Sequence, residues 1–446
     1  MPAIITNAFR TYNADNFISS FSTNKMYLMI GKADSWSGAS LGQYSEASPS
    51  DTAIPTPLDT TVAPYIHHND MIAAKLINTS DVSHVVKRTD WTSGTVYTEY
   101  DHNQDDQIDQ TFFVMTDQYN VYKCISNYGG IASTVKPTGQ SASIIETSDN
   151  YRWKFMYEVQ QADVLKYVTT DWIPIKYLTS NDGTSQWTVQ QAAVDGALEH
   201  IDVTAGGTGY TNTHTGTSQG GSATTITLAA TASVTDDVYN GMTVYISSGT
   251  GSGQIKVITD YVGSTKVVTV STWTTNPDTT SVYEVMPAIT ISHGSETPVP
   301  LPLATARCSS VVGGIIKKIA MTAVGAGYRS GTAVLTGGGG TGATLEPRIG
   351  PKNGHGKNPK TELGGAYVMM NVRLVGTEGG DFTVGDDFRK VILIANPNVA
   401  GAAATASTYS GVEMDDDSGE QIYIEFRAPI NRASDQTEDV KLVVEF

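Results

Sequence analysis

Oxygen-bearing side chains at Asp101, Asn103 and Asp105 fall at alternate positions of Asp101-His-Asn-Gln-Asp-Asp-Gln-Ile-Asp109, the spacing with which a calcium loop wraps its ion. Such a loop also needs glycine at its sixth position, for the sharp turn, and a bidentate glutamate at its twelfth. Those places hold Asp106 and Phe112, so the stretch reads as an acidic, solvated loop. His67-His68 lies in a stretch that reads as helix, where neighbours point about 100° apart and cannot easily share a metal. Gly354-His-Gly356 sits in a Gly/Pro/Lys loop with no second ligand nearby in sequence. Gly337-Gly-Gly-Gly-Thr-Gly342 has the glycine density of a phosphate cradle. It lacks the Gly-Lys-Ser/Thr that opens a helix, and Ala-Thr-Leu-Glu-Pro follows it, so a β turn is the better account. No Gly-x-Ser-x-Gly elbow occurs. Asp386-Asp387 and Asp415-Asp-Asp417 lie in polar stretches; a glycosidase needs its two carboxylates across a cleft, and the acidic-loop reading is preferred. Cys124 and Cys308 have no CxxC or Cys/His spacing and read as two reduced, partly buried thiols. No catalytic, cofactor-binding or metal-binding residue is assigned, and no cofactor is expected.

The elements that would carry these positions are mostly strands. Residues 6–21 place Ala14, Phe17, Ile18 and Phe21 on one side of a helix. Lys25–Gly31 reads as a short apolar strand, and 38–58 as irregular. The clearest helix is expected from Asp59, with Val62, Ile66, Ile72, Ala73 and Leu76 on its apolar face. Val82–Arg88 reads as a strand, and Thr111–Cys124 as a hairpin turning at Asp117-Gln-Tyr-Asn120. Asp149–Val159 is a strand with Tyr151, Trp153, Phe155 and Tyr157 at alternate positions. A short helix at 163–168 and the segment Asp171–Ile175 close this part. Near the end, Glu362–Leu374 reads as strand or helix–strand, and Lys390–Ala395 as a buried strand. Ser418–Phe446 reads as two strands, the first ended by Pro429, with the terminus tied into a sheet.

From about Ala192 to Pro351 the chain turns rich in Gly, Thr and Ser, with short β-branched runs. An internal repeat lies within it: Ile201-Asp-Val-Thr-Ala-Gly-Gly-Thr-Gly-Tyr210 matches Ile319-Ala-Met-Thr-Ala-Val-Gly-Ala-Gly-Tyr328, with Gly196 and Gly314 at the same offset. A strand–glycine turn–strand unit used twice is expected. Further strands are expected at Val244–Ile246, Gln254–Thr259 and Lys266–Ser271, with turns at Gly249, Gly251 and Asp260–Ser264. The fold class is therefore α+β, predominantly β: a mixed framework with few helices (1–185 and 355–446) plus an inserted all-β domain (190–352).

Lys+Arg 28 against Asp+Glu 45 gives a formal charge of −17. That acidity disfavours nucleic acid, whose binding rests on phosphate neutralisation, and anionic membranes. Charged residues are 16% of the chain, against about 25% in typical soluble domains; with Gly 43 this is the composition of a turn-rich β protein. No apolar run of about 18 residues occurs, and the start has no basic n-region followed by an apolar h-region, so neither a membrane span nor secretion is expected.

Several stretches, in order, resemble the baseplate wedge proteins of T4-like contractile-tailed phages, the dimeric wedge subunit. They are Ala8-Phe-Arg10, Tyr27–Trp36, Asp59–Ile77 with Lys87-Arg-Thr-Asp-Trp91, Val121-Tyr-Lys-Cys124, Tyr151–Tyr157 with Trp172-Ile-Pro174, and Ser418–Phe446. The resemblance covers roughly 5–180 and 360–446. The 192–351 block departs from the family's short form and looks like an added β module of the style of cyanobacterial phages. The resemblance implies a non-enzymatic bacteriophage virion protein of the contractile tail. It would form a homodimer, bind other baseplate wedge proteins, and reside in the tail baseplate after assembly in the host cytoplasm. A host-surface glycan-binding tail protein is the alternative, and a tail glycan hydrolase a weaker one.

Overall fold

The computed structural model describes residues 6–31, 71–104, 111–295, 298–374, 384, 387–399, 402–403, 418–435 and 439–446. The protein is predominantly β within the α+β class: antiparallel sheets with four α-helices among the described residues. It forms two compact units, Met1–Arg88 with Val159–Tyr177 and Pro359–Phe446, and Thr89–Glu158 with Leu178–Asn358. These boundaries differ from those expected. Residues 89–158 cluster with the Gly/Thr-rich block instead of with the framework, because the helix Ser185–Ala192 sends Val189 into the aromatic core of the 113–158 sheet.

The first unit is a sandwich of two four-stranded sheets. One has the spatial order Met71–Ile77, Met26–Gly31, Asp387–Ala395, Glu420–Asn431. The other runs Asp439–Glu445, Tyr367–Arg373, Val82–Lys87, Trp172–Ile175. Leu28, Ile30 and Leu393 from the first meet Val368, Met370 and Leu442 from the second in one core. The helix Asn7–Ser20 is capped by Thr6, whose hydroxyl accepts from Phe9 N at 3.3 Å, and brings Ala14, Phe17, Ile18 and Phe21 to that core. The helix Gln161–Tyr167 covers the outer face of the second sheet with Tyr167 beside Val85 and Met369.

Three sequence readings are corrected here. Met71–Ile77 is a strand and not the end of a helix; the rest of that expected helix, with His67-His68, lies outside the described residues. Met71-Ile-Ala-Ala-Lys-Leu-Ile77 suits either period. Pairing decides it, since the fully buried Met26–Gly31 needs a main-chain partner on both sides. Pro429 does not end its strand, which runs to Asn431. It sits at a sheet edge where the register shifts between Phe388 and Lys390, a place that tolerates a missing N–H. Asp387 is not in a loop but begins a strand, with Arg389 Nε 3.2 Å from its carboxylate. The last strand is tied in as expected: Phe446 N donates to Ala366 O at 3.1 Å, and its ring lies 4.9 Å from Phe17.

The second unit holds three β assemblies. The predicted 111–124 hairpin forms between Phe113–Met115 and Asn120–Ser126 and joins Arg152–Glu158, whose Trp153 and Phe155 share a core with Tyr97, Tyr151 and Tyr122. The helix Ser185–Ala192 carried no apolar stripe in sequence; it buries Gln186 and Gln190, which hydrogen-bond each other and Leu178. Between the repeat copies, a seven-stranded sheet encloses its own core around Tyr239, Tyr261, Trp273 and Tyr283. Its Ile255–Val262 strand runs through the expected turn at Asp260, and the chain reverses three residues later at Gly263–Lys266. A strand of β-branched and aromatic residues prolongs its ladder, and the turn is closed by Lys266 at a φ of 60°, with Gly263 placed where a Cβ would stand 2.3 Å from Val234 O.

The two repeat copies answer each other. Leu198–Thr208 pairs with Thr341–Ile349, Ile315–Ala323 with Thr305–Val312, and Ala288–His293 with Gly331–Thr336. Tyr210 N donates to Gly314 O and Tyr328 N to Gly196 O, each at 3.0 Å. Gly207 and Gly325 have φ of 60° and 63°, and a Cβ at either would stand under 3 Å from its own copy's tyrosine ring. The reciprocity of the repeat lies in these two main-chain bonds and not in the strand pairing, and glycine is required at both places where a tyrosine ring closes on the backbone.

Candidate subunit interface

The residues singled out for chemistry do not assemble into a reactive centre among the described residues. Asp101 accepts from Arg348 at 2.8 Å and from Asn103 N at 2.9 Å, while Asn103 Nδ2 donates to Glu346 at 2.9 Å. The acidic loop is thus partly held by an arginine, a structural use of its oxygens; residues 105–110 lie outside the described residues. His355 is buried with Nδ1 3.2 Å from Lys123 Nζ. Burial and the charges of Lys123 and Lys154 hold its pKa well below the usual histidine range, a setting hostile to a cation. The loop after Gly331–Thr336 is a turn, as expected: Gly340 lies so close to the Tyr210 ring that a Cβ there would meet Cγ at 2.4 Å. Both cysteines are buried and free; burial pushes the Cys308 thiol up to about 11 and holds the Cys124 thiol well above its ordinary value. Asp415–Asp417 lie outside the described residues.

Among the described residues, a sheet edge stands open. Glu420–Asn431 pairs on one side with Asp387–Ala395, and no other described strand pairs with it. Tyr423 reaches the sandwich core and Ile424 the opposite face of the sheet, which anchors the strand. Ile422 and Ile430 remain exposed, at 41% and 38%. Glu425 is fixed between neighbours two residues away. Tyr423 Oη donates to it at 2.8 Å and Arg427 Nε at 2.7 Å. Burial, then the donation to Glu425, raises the Tyr423 phenol, so it stays a donor.

These side chains are arranged symmetrically about Phe426. Glu425 mirrors Arg427, Ile422 mirrors Ile430, and Glu420 mirrors Arg432. An antiparallel copy of the same strand would therefore set acid against base and isoleucine against isoleucine, the requirement of an isologous contact. Register shifts at Phe388/Lys390 and Leu393/Ile394, together with Pro429, kink this edge and limit how far a second backbone could follow it. Side-chain complementarity carries the pattern instead. Beside the edge, between it and Asp439–Glu445, lies a cleft of about 390 Å³ lined by Trp172, Tyr367, Phe388, Val440 and Ile430.

No family model matches the chain, and no curated protein matches it. The self-complementary edge could be found in the sequence by reading Glu420–Arg432 about its centre. That no described strand pairs with its outer side could not, because this depends on which strands pair elsewhere.

Proposed function

We propose that this chain is a non-enzymatic structural component of a contractile-tail baseplate wedge, that it dimerises through the Glu420–Asn431 edge, and that it binds neighbouring wedge proteins. The observation that carries the dimer is the mirror arrangement of Glu425/Arg427 and Ile422/Ile430 on a strand whose outer edge no described strand pairs. Supporting the wedge reading, the first, Tyr27, Trp172 and terminal segments of the resemblance lie in one unit, whereas Val121–Cys124 and Tyr151–Tyr157 lie in the other. Arg10 bonds Glu445 and the main-chain oxygen of Phe446, and Tyr27 and Trp172 lie in the two sheets that the terminal segment completes. Such a protein works through large complementary surfaces and alternative packings, and needs no reactive pocket or cofactor.

The test is solution mass by light scattering after size exclusion, alone and mixed with the neighbouring baseplate proteins. Wild type is expected as a dimer that enters a larger complex. Arg427→Glu and Glu425→Arg should each be monomeric, since each sets like charges opposite one another. An equimolar mixture of the two should restore a dimer, because Glu at 427 then faces Arg at 425. A wild-type monomer that joins no partner would overturn the reading; single variants that remain dimeric would move the interface elsewhere.

A further inference from the structure

The edge of the second sheet of the sandwich carries a mirror order of its own. Asp439–Glu445 pairs with Tyr367–Arg373 in unbroken antiparallel register, and no described strand pairs with its outer side. Phe446 N donates inward to Ala366 O, so Val444, Leu442 and Val440 also turn their main-chain groups to that neighbour. The N–H and C=O groups of Lys441, Val443 and Glu445 therefore point outward, because successive residues of a ladder alternate. About Val443, Lys441 mirrors Glu445. An antiparallel copy centred there would exchange main-chain bonds between the two Val443 residues, and between each Lys441 and the partner's Glu445, with base beside acid in both outer pairs. Glu445 has capacity for this: its side chain is 61% exposed, and Arg10 and Tyr367 both donate to Oε1.

Lys441, Val443 and Glu445 line the same cleft as Glu425 and Arg427 of the neighbouring edge. The residues that flank the two mirror centres, Phe426 and Val443, thus meet at one place, and a single two-fold axis can pass through both strands, as a closed isologous contact requires. The two edges also differ in what they offer. Glu420–Asn431 is kinked by its register shifts and presents side chains in mirror order, whereas Asp439–Glu445 has no shift and presents a straight row of main-chain donors and acceptors. Resting on the dimer proposed above, we infer that Asp439–Glu445 is the second half of that interface. The occupant of its outer side is the same strand of a second copy, paired antiparallel about Val443, so that both sheets of the sandwich continue across the axis.

The experiment is the dimer dissociation constant of the full-length chain, by sedimentation equilibrium, for wild type, Lys441→Glu, Glu445→Lys and Val443→Pro, each checked for folding by its melting curve. Val443→Pro deletes an N–H that points outward, so it takes no bond from the ladder to Tyr367–Arg373. Each single variant is expected to weaken the dimer at least about tenfold, since every change occurs twice about the axis. An equimolar mixture of Lys441→Glu and Glu445→Lys should recover it, because the introduced acid then faces the introduced base. Affinity unchanged in Lys441→Glu and in folded Val443→Pro would overturn this inference; if Arg427→Glu still breaks that dimer, the contact at Glu420–Asn431 stands alone. A monomeric wild type would overturn both.

Discussion

Replacing Glu99 by glutamine should stabilise the second unit at alkaline pH and leave it nearly unchanged in mild acid. Arg348 is 9% exposed and stands within reach of four carboxylates: Asp101 at 2.8 Å, Asp202 at 3.2 Å, Glu346 at 3.3 Å and Glu99 at 3.5 Å. One cation cannot balance four anions. Burial, then the charge of Asp202, raises the Glu99 carboxyl from 4.5 to about 7. In the unfolded chain the same carboxyl ionises at its ordinary value, so between these two pKa values the native state holds the extra proton. Its contribution is fully present below about pH 4.5 and is lost as the pH rises through about 7. The shift corresponds to about 3 kcal/mol, an order of magnitude that solvent does not erase at a side chain 17% exposed. Glutamine keeps the neutral shape and cannot ionise. The assay is urea unfolding of wild type and Glu99→Gln in steps from about pH 5 to about pH 8. His102, His200 and His355, all depressed by burial, act with the opposite sign on the acid side and cancel in the difference between the two proteins. Parallel pH profiles, with no gain for the variant at the alkaline end, would refute the account of a carboxyl kept protonated by burial and by Asp202.

Tyr328→Phe should cost about 1–3 kcal/mol, because Ala304 N donates to the buried Tyr328 hydroxyl at 2.9 Å and would lose its acceptor; denaturant unfolding reads this directly. Gly325→Ala should destabilise by at least about 1 kcal/mol, since its φ is 63° and a Cβ would stand 2.6 Å from Ala304 N. Gly313→Ala, at a φ of 60° but in open space, is the control: it should cost less in the same melting experiment, and equal losses would show that backbone conformation alone sets the penalty.

Much of the architecture was legible locally. The spacing of Ala14, Phe17, Ile18 and Phe21 announces Asn7–Ser20, and a turn at Asp117–Asn120 announces the first hairpin. The repeated Gly-x-Gly-Tyr marks two turns that share the same left-handed glycines. Each of these is a short-range matter of capping, period and permitted φ, which neighbouring residues settle between themselves. Readings failed where distant chain decided. Met71–Ile77 became a strand because a buried neighbour needed pairing, and Pro429 stayed within one because it fell at an edge with a register shift.

The interface and the cleft divide along the same line. The predominantly β character, the acidic balance, the repeat and the mirror order of Glu420, Ile422, Glu425, Arg427, Ile430 and Arg432 are all set by residue order. Folding alone settles that this strand is outermost among the described strands of its sheet, that Arg152 and His200 meet, and that Arg348 gathers carboxylates from positions 99 to 346. Local preferences act over a few residues, whereas ladder pairing, burial and charge balance depend on groups that only the folded chain brings within a few ångströms.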